Sequence, residues 1–394
     1  MKKLIALLLT LALMLCILAG CSNAKPAAET DGTNETTSAP QDSTPSAEAA
    51  DGQPSATASG LPALTKDTIQ VGFLYGSAIG DEGYTYCHDL GRQALEEMGI
   101  KTMYVESVPE NAECEKYCRD LIEQGCNVIY GISFGQGEFI ANVADEYPDV
   151  YFNHCTGYIT KNNMSTYMGR MYEVQYLAGI AAGMRTETNK IGIVTTFPIP
   201  ECVRQVNSFT LGVRSVNPEA TVSVKWTSSW FDPATETASA IELLNSGCDV
   251  MAAYCDTMNP QIAAADAGKW ALGCSSSGYD KIPDKYLTAP LFHYASFYTE
   301  SVQSILDGTW TGTSHWDGME TGIVMLDNLT NCADGTEEAV EAAKQAILDG
   351  SLDMWSGELY DNQGNLKVEA GQTLSDADLQ ALDWLVEGVI GSVN

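Results

Sequence analysis

From residue 68 onward, short apolar segments alternate with helical patterns almost without interruption. The segments TIQVGFLYG, NVIYGISF, KIGIVTTF and DVMAAYC are nearly continuous apolar runs, and a pattern of helical period follows each of them. Apolar runs of this kind are typical of parallel strands that helices cover on both faces. Two such series of strands and helices follow one another along the chain. We therefore predict an α/β fold with two doubly wound parallel-sheet lobes and a central cleft.

The order of the two series predicts how the chain divides between the lobes. Lobe I is expected to hold residues 66–157 and 276–294, and lobe II residues 161–275 and 296–394. This interleaving requires three crossings between the lobes, and it assigns the C-terminal segment to lobe II.

The C-terminal segment departs from the strand–helix alternation. MWSGELYDNQGNLKVEAG predicts a hairpin around residues 362–365. SDADLQALDWLVEGVIG predicts a helix that Ser375 and Asp378 open in a capping-box arrangement. We expect this helix to pack on lobe II, and a helix that binds a partner is the alternative.

The N-terminus reads as an export signal. In residues 1–21, two lysines precede an apolar stretch that ends in LAGC, which is the lipobox pattern of a bacterial lipoprotein. We predict that Cys21 is lipidated and anchors the exported protein to the outer face of the cell membrane. An ordinary signal peptide is the alternative. Residues 22–65 are rich in Ala, Ser, Thr and Pro without periodicity, which predicts a disordered tether.

The net charge and the spacing of the cysteines argue against nucleic-acid binding and against a metal site. The formal charge is −32, with 20 Lys and Arg against 52 Asp and Glu, which argues against nucleic acid as a partner. Ten cysteines lie between residues 87 and 332 without a C-x-x-C pair or metal-ligand spacing. We expect free, buried thiols, with one or two disulfides as the alternative. No metal or cofactor is predicted.

The glycine-containing turn IGDEGYTY, after the first strand, raises the question of a phosphate site. Phosphate binding needs bare backbone amides and favourable charge at a helix N-terminus. Asp81 and Glu82 occupy that position and would repel a phosphate. We therefore expect the turn to present Tyr84 and Thr85 to a different ligand, at the sheet edge where open α/β folds bind ligands. Packing in the core is the alternative for Tyr84.

Other aromatic residues follow strands at equivalent edges. Phe134, Trp230 and Phe292 each end an apolar segment, and Asp256 comes just after DVMAAYC. Aromatic faces with few charges suit a flat, neutral ligand, from which Asp256 would accept hydrogen bonds. The alternative for Asp256 is to cap the helix that starts near Pro260.

Several motifs together resemble one family. GDEGYTY, YPDVYF, YEVQYLAGIAAG, KIGIVTTFPIPECVRQVNSFTLGVRSVNP and DPATETASAIELLNSGCDV are similar to segments of the basic membrane protein (BMP) family, and the similarity extends over residues 68–394. These proteins are substrate-binding lipoproteins of bacterial ABC importers. The resemblance implies the type I periplasmic-binding-protein fold and an ABC permease as partner.

The family includes purine-nucleoside receptors in which two aromatic residues sandwich the base. The resemblance assigns that role to Tyr84 and Trp230. Those receptors grip the ribose with an acidic residue and a lysine. Here Ser275 stands in place of the acid and Phe292 in place of the lysine.

Two further positions depart from the nucleoside-binding pattern. Tyr75 and Thr156 replace carboxylates near the base. The resemblance therefore implies a purine base such as adenine as the ligand. The alternatives are a nucleoside or sugar receptor of the same fold, or a ligand-sensing receptor that acts on a signalling protein. The four histidines are scattered and no H-E-x-x-H motif occurs, so we predict that the protein is not an enzyme.

Overall fold

The computed structural model describes residues 57–81 and 83–393. Its strands are β1 (Gln70–Leu74), β2 (Lys101–Val105), β3 (Val128–Gly131), β4 (Tyr151–Cys155), β5 (Met164–Gly169), β6 (Lys190–Thr195), β7 (Thr221–Trp226), β8 (Val250–Tyr254), β9 (Trp270–Ala271), β10 (Pro290–Phe292), β11 (Ser314–Asp317), β12 (Val324–Leu326), β13 (Leu359–Tyr360), β14 (Leu366–Val368) and β15 (Val389–Ile390). Its helices are α1 (Tyr84–Glu97), α2 (Glu113–Glu123), α3 (Gly137–Glu146), α4 (Met171–Arg185), α5 (Pro200–Val216), α6 (Pro233–Asn245), α7 (Asn259–Asp266), α8 (Tyr294–Leu306), α9 (Thr336–Leu348) and α10 (Asp376–Gln380).

Two parallel sheets organise the fold. The sheet of lobe I has the strand order β11-β5-β4-β3-β1-β2, and the sheet of lobe II has the order β15-β7-β6-β8-β9. Every pairing within these two sheets is parallel. The central strands β3 and β8 are buried along their whole length, as helices on both faces require. The predicted fold class, with two doubly wound lobes, is confirmed.

The division of the chain between the lobes differs from the prediction. Strand β5 was assigned to lobe II, within 161–275, but it pairs with β4 in the sheet of lobe I. Strand β11 was also assigned to lobe II, within 296–394, but it forms the edge of the same sheet beside β5. Its sequence, Ser-His-Trp-Asp, carries no apolar pattern, and its partner lies about 150 residues earlier in the chain, so local sequence could not reveal the pairing.

In the C-terminal segment, the structure confirms the predicted hairpin and shows a shorter helix than the sequence predicted. Strands β13 and β14 pair antiparallel, and Ser375 and Asp378 form the predicted capping box. The helix ends at Gln380, although the sequence predicted that it would run on towards residue 391. Beyond it, β15 joins β7 at the edge of the lobe II sheet, and this long-range pairing overrides the helical period of the segment. The segment packs on lobe II, as expected.

The predicted tether ends earlier than expected. Residues 57–65 pack against lobe I: Leu61 is 4 % exposed, the Ala58 amide donates to the Gly308 carbonyl at 2.7 Å, and the Tyr151 hydroxyl donates to the Pro62 carbonyl at 3.0 Å. The predicted signal peptide, Cys21 and the tether up to residue 56 lie outside the described residues.

The cysteines of the folded part are free thiols. Nine of the ten between Cys87 and Cys332 are buried, and none of these ten forms a disulfide. Burial raises the pKa of Cys126 to about 11, so this thiol stays protonated near neutral pH.

In the part of the chain that the structure describes, no helix is both long and apolar enough to cross a membrane.

Candidate functional site

A cavity of about 230 Å³ lies between the lobes. Lobe I lines it with the segments after β1, β2, β3 and β4 and with the start of α1. Lobe II contributes the start of α5 and the segments that follow β7, β8 and β9. This is the carboxyl edge of both parallel sheets, where open α/β folds bind ligands. Six of the eight predicted ligand-binding residues line the cavity: Tyr84, Thr85, Phe134, Thr156, Trp230 and Asp256.

Tyr84 both faces the cavity and packs into lobe I. It is the first residue of α1, and its hydroxyl donates to the Ile132 carbonyl at 2.9 Å. Its ring meets the ring of buried His88 edge-on at 4.5 Å and that of Phe292 at 5.8 Å. Burial raises the pKa of Tyr84 well above 10, so the hydroxyl remains a donor. Tyr84 is therefore a core aromatic of lobe I that also lines the cavity, and its contact with a ligand stays a prediction.

The other lobe I residues of the site lie beside Tyr84 in α1, as Thr85 does, or just after strands β3 and β4, as Phe134 and Thr156 do. Thr85 shares a hydrogen bond with Ser77, with the two hydroxyl oxygens 2.6 Å apart. Phe134 is 43 % exposed at the rim of the cavity. Thr156 adopts φ 59°, a left-handed conformation that is uncommon for a residue with a side chain. Ser275, on the lobe II side, adopts φ 61°. Unusual backbone of this kind concentrates at functional sites.

Trp230 and Asp256 form the lobe II side of the cavity together. The Asp256 amide donates to the Trp230 carbonyl at 3.1 Å, which ties the segment after β8 to the segment after β7. The Trp230 ring packs edge-on against Phe197 at 5.2 Å. At the start of helix α7, the Asn259 amide donates to the Thr257 hydroxyl at 3.1 Å.

The structure places Tyr75 and Phe292 outside the cavity lining. Tyr75 is fully buried, and its hydroxyl donates to the Asp89 carboxylate at 3.2 Å. Phe292 is 6 % exposed and stacks on Tyr294 with the ring centroids 4.9 Å apart. Phe292 therefore lies behind Tyr84 and supports it. The sequence could not show this, because the last side chain of an apolar strand can point into the core as readily as into a cleft.

Sequence reasoning missed two polar residues of the lobe II wall. Glu201, in the first turn of α5, lines the cavity and is 9 % exposed. The hydroxyl of Tyr254, the last residue of β8, donates to Glu201 Oε1 at 2.8 Å. Burial raises the pKa of Glu201 above its usual value. In the sequence, Glu201 resembles an ordinary acid at a helix start and Tyr254 a core residue of a strand, so the pattern gave no signal.

The described residues of the cavity wall include carboxylates and no basic side chain. Glu110 lines the lobe I side, where its Oε1 accepts from the Gly135 amide at 2.8 Å, and Glu201 and Asp256 line the lobe II side. Among the described residues that line the cavity, none is Lys, Arg or His. A ligand that carries phosphate or carboxylate groups would meet uncompensated negative charge in this cavity. The site therefore suits a ligand that carries no negative charge and donates hydrogen bonds.

Residues 131–135 read Gly-Ile-Ser-Phe-Gly and match the G-x-S-x-G pattern of a hydrolase nucleophile elbow. The geometry does not fit that role. Ser133 has extended backbone, with φ −105° and ψ 139°, where an elbow requires a strained turn. Its hydroxyl donates to Glu110, while His154 Nε2 contacts the Ser133 carbonyl oxygen at 2.8 Å. Ser133 therefore lacks a histidine base in this arrangement.

Comparison with known proteins places this architecture in a family. A family model described as "ABC transporter substrate-binding protein PnrA-like" matches residues 68–353. A putative ABC transporter glucose-binding protein of Haloferax volcanii is 40 % identical over 331 residues, which cover 83 % of this chain and 82 % of the relative. A purine-binding protein of Brucella abortus is 34 % identical over 333 residues, which cover 84 % of this chain and 95 % of the relative.

Solved structures show the same fold at lower identity. A solute-binding protein of an ABC transporter from Aeropyrum pernix aligns with a TM-score of 0.65 at 19 % identity, over 72 % of this chain and 92 % of that one. One from Conexibacter woesei gives a TM-score of 0.62 at 19 % identity, over 72 % and 98 %. The family match, the two relatives above 30 % identity and the two-lobed fold lead to one conclusion: the chain belongs to the Bmp family of PnrA-like ABC transporter substrate-binding proteins.

Proposed function

We propose that the cavity binds a purine base and that the protein delivers this base to a membrane permease. The observation that carries the proposal is the pair Tyr84 and Trp230, which line one cavity from opposite lobes. Two aromatic faces on opposite walls favour a flat π-bearing ligand between them, since stacking on an aromatic ring contributes about 1–3 kcal/mol per base. The same pair links binding to closure, because a ligand that touches both rings stabilises the closed form.

The charge of the wall supports a free base over its phosphorylated or ribosylated forms. The lining has carboxylates and hydroxyls but no described basic side chain, so a nucleotide phosphate has no cation to pair with. Purine bases are neutral at pH 7 and carry N–H donors that match acceptors such as Glu201 and Asp256. Ser275 and Phe292 stand where related nucleoside receptors carry the charged ribose grip, which further favours the base.

A sugar is the second candidate, and a specific observation favours it. The relative that is 40 % identical is named as a putative glucose-binding protein. Aromatic rings and carboxylates also suit the C–H faces and hydroxyls of a hexose. Against this, the purine-binding relative is 34 % identical over a larger share of its own length.

We further propose that lipidated Cys21 anchors the protein to the outer face of the cell membrane, where ABC substrate-binding proteins of this family operate. The LAGC sequence before Cys21 supports this anchor. Cys21→Ala should leave the precursor unprocessed or release the protein from the membrane, which fractionation and labelling with a radioactive fatty acid would detect. Equal labelling of wild type and variant would contradict the anchor.

A thermal-shift panel tests the ligand proposal. Adenine, hypoxanthine, adenosine and D-glucose are compared at equal concentration, because a ligand that binds the native state raises the melting temperature by mass action. We expect the bases to raise it more than adenosine, and D-glucose to have no effect. A shift with D-glucose alone or adenosine alone would overturn the proposal in favour of a sugar or nucleoside receptor.

A further inference from the structure

The buried carboxylate Glu201 is placed where an anion is tolerated. It follows Pro200 at the start of α5, and its side chain reaches the cavity while the residue stays 9 % exposed. The N-terminal end of a helix carries partial positive charge, so a carboxylate in the first turn is stabilised there. The position therefore supports an ionised Glu201 even though the residue is largely withdrawn from solvent.

The hydrogen bonds of Glu201 are incomplete. Tyr254 donates to Oε1 at 2.8 Å, but no donor among the described residues reaches Oε2. No described Lys or Arg forms an ion pair with it. Arg204, one turn further along α5, instead donates to the Leu379 carbonyl at 2.7 Å and lies over the Trp316 ring. Oε2 is not among the buried polar atoms without a partner, so it is open to the cavity, where a donor from outside the chain can reach it.

Other buried carboxylates of lobe II are fully engaged. Glu236 accepts from the Asp232 amide at 3.0 Å through Oε1 and from the Thr257 hydroxyl through Oε2. Asp249 accepts from the Thr186 hydroxyl through Oδ1, and its Oδ2 accepts from two backbone amides. The fold thus supplies donors to both oxygens where a buried acid has a structural role. Glu201 differs from these residues, and it is the one that lines the cavity.

We propose that Glu201 Oε2 accepts a hydrogen bond from an N–H group of the ligand, specifically the exocyclic amino group of an amino-substituted base. Tyr254 is the positioning residue, because its hydroxyl fixes Oε1 and leaves Oε2 directed at the ligand. This assignment rests on the proposed function and adds to it a residue that selects among bases. It predicts that the site discriminates bases by their amino group.

Adenine and unsubstituted purine test this assignment, because they differ only in the exocyclic amino group. We expect wild type to bind adenine about tenfold to a hundredfold more tightly, as a hydrogen bond to a charged acceptor implies. Glu201→Leu should abolish this preference, because it should weaken binding of adenine more than binding of unsubstituted purine. Tyr254→Phe should reduce the preference by a smaller factor. Calorimetric titration of both bases measures each ratio.

A conservative variant and a matched control keep the test decisive. Glu201→Gln preserves volume and one acceptor oxygen, so its adenine preference should fall between those of wild type and Glu201→Leu even if the leucine variant does not fold. Glu236→Gln makes the same change at a buried acid outside the cavity and should leave the preference unchanged. If both Glu201 variants kept the preference for adenine, the role of Glu201 would be overturned but the proposed function would stand. If the wild-type protein bound neither base, the proposed function itself would be overturned.

Discussion

Gly83 and Asp256 bring the two lobes into backbone contact. Gly83 precedes α1 of lobe I, and a Cβ atom built on it would lie 2.6 Å from the carbonyl oxygen of Asp256, in the segment after β8 of lobe II. Real Cβ atoms do not approach a backbone oxygen this closely, so only glycine permits the lobes to meet here. The contact lies beside the cavity, between the turn that presents Tyr84 and the residue proposed to face the ligand.

Gly83→Ala should therefore weaken ligand binding without unfolding the protein. The added methyl group obstructs the closed form, and overpacking of this kind costs about 1–3 kcal/mol, which corresponds to a loss of affinity of about tenfold to a hundredfold. Gly80→Ala is the matched control, because nothing lies within 4 Å of a Cβ at Gly80 in the same turn. Calorimetric titration of both variants checks this, and equal affinities would contradict the role of Gly83 in closure.

Trp230→Ala and Tyr84→Ala should separate binding from stability. Trp230 packs edge-on against Phe197 in the lobe II wall, so its loss should lower affinity about tenfold to a hundredfold and change the melting temperature without ligand less than the loss of Tyr84 does. Tyr84 also supports lobe I through its contacts with His88 and Ile132, so its replacement should lower both affinity and stability. Calorimetric titrations and thermal melts without ligand measure both effects in the two variants. A Trp230→Ala variant that lost stability but kept its affinity would contradict the role of Trp230 in binding.

Much of the site followed from the sequence because parallel strands end at one edge. Tyr84, Phe134 and Trp230 each follow a strand pattern, and the fold brings them to one cavity. Phe292 follows the same kind of pattern but points into the core, because strand β10 pairs with β12 and packs beside α1. Sequence position fixes the end of a strand but not which way its last side chain points.

Two features could not be predicted from the sequence because they depend on residues far apart in the chain. They are the polar side chain of Glu201 in the cavity wall and the boundary between the lobes. The burial of Glu201 depends on tertiary neighbours, and a glutamate at a helix start is normally exposed. Likewise, β11 and β15 are short segments that become strands only through partners far away in the chain. Local pattern carries no information on such pairings, which is also why the C-terminal helix was predicted too long.

Acid should weaken ligand binding through Glu201. Burial raises the pKa of this carboxyl in the free protein, and a ligand N–H that donates to it would lower that pKa again. Affinity should therefore be constant above the pKa of free Glu201 and fall as the pH drops below it. Titrations across the acid range should show a larger fall in wild type than in Glu201→Gln, and parallel profiles would contradict it.

The groups that surround Glu201 do not titrate in the acid pH range in which Glu201 takes up its proton. Burial holds the pKa values of Tyr254 and Tyr84 well above 10, and it raises those of the thiols. The charged and titratable groups that face Glu201 are Tyr254 from β8, Arg204 and Cys202 from α5, Tyr84 from α1 and Cys155 from β4. The difference between the acid profiles of wild type and Glu201→Gln therefore reports on Glu201 and not on these neighbours.

Glu173 should make folding stability depend on pH near the crossing between the lobes. It lies at the start of α4, its Oε2 accepts from the Met319 amide at 2.9 Å, and burial raises its pKa from 4.5 to about 6. The folded state thus binds this proton more tightly than the unfolded chain does. The free energy of unfolding should fall by at most about 2 kcal/mol as the pH rises from about 4.5 to about 6. Melts of Glu173→Gln across this range should lack that component, and an unchanged profile would exclude it.

The central claim is that the cleft of this ABC substrate-binding protein receives a purine base between Tyr84 and Trp230. Isothermal titration of the purified protein with adenine and with D-glucose, in the same buffer, tests it most directly. We predict saturable binding of one adenine per chain and no heat of binding with D-glucose. Saturable binding of D-glucose with no response to adenine would contradict the claim and would assign the protein to the sugar-binding members of its family.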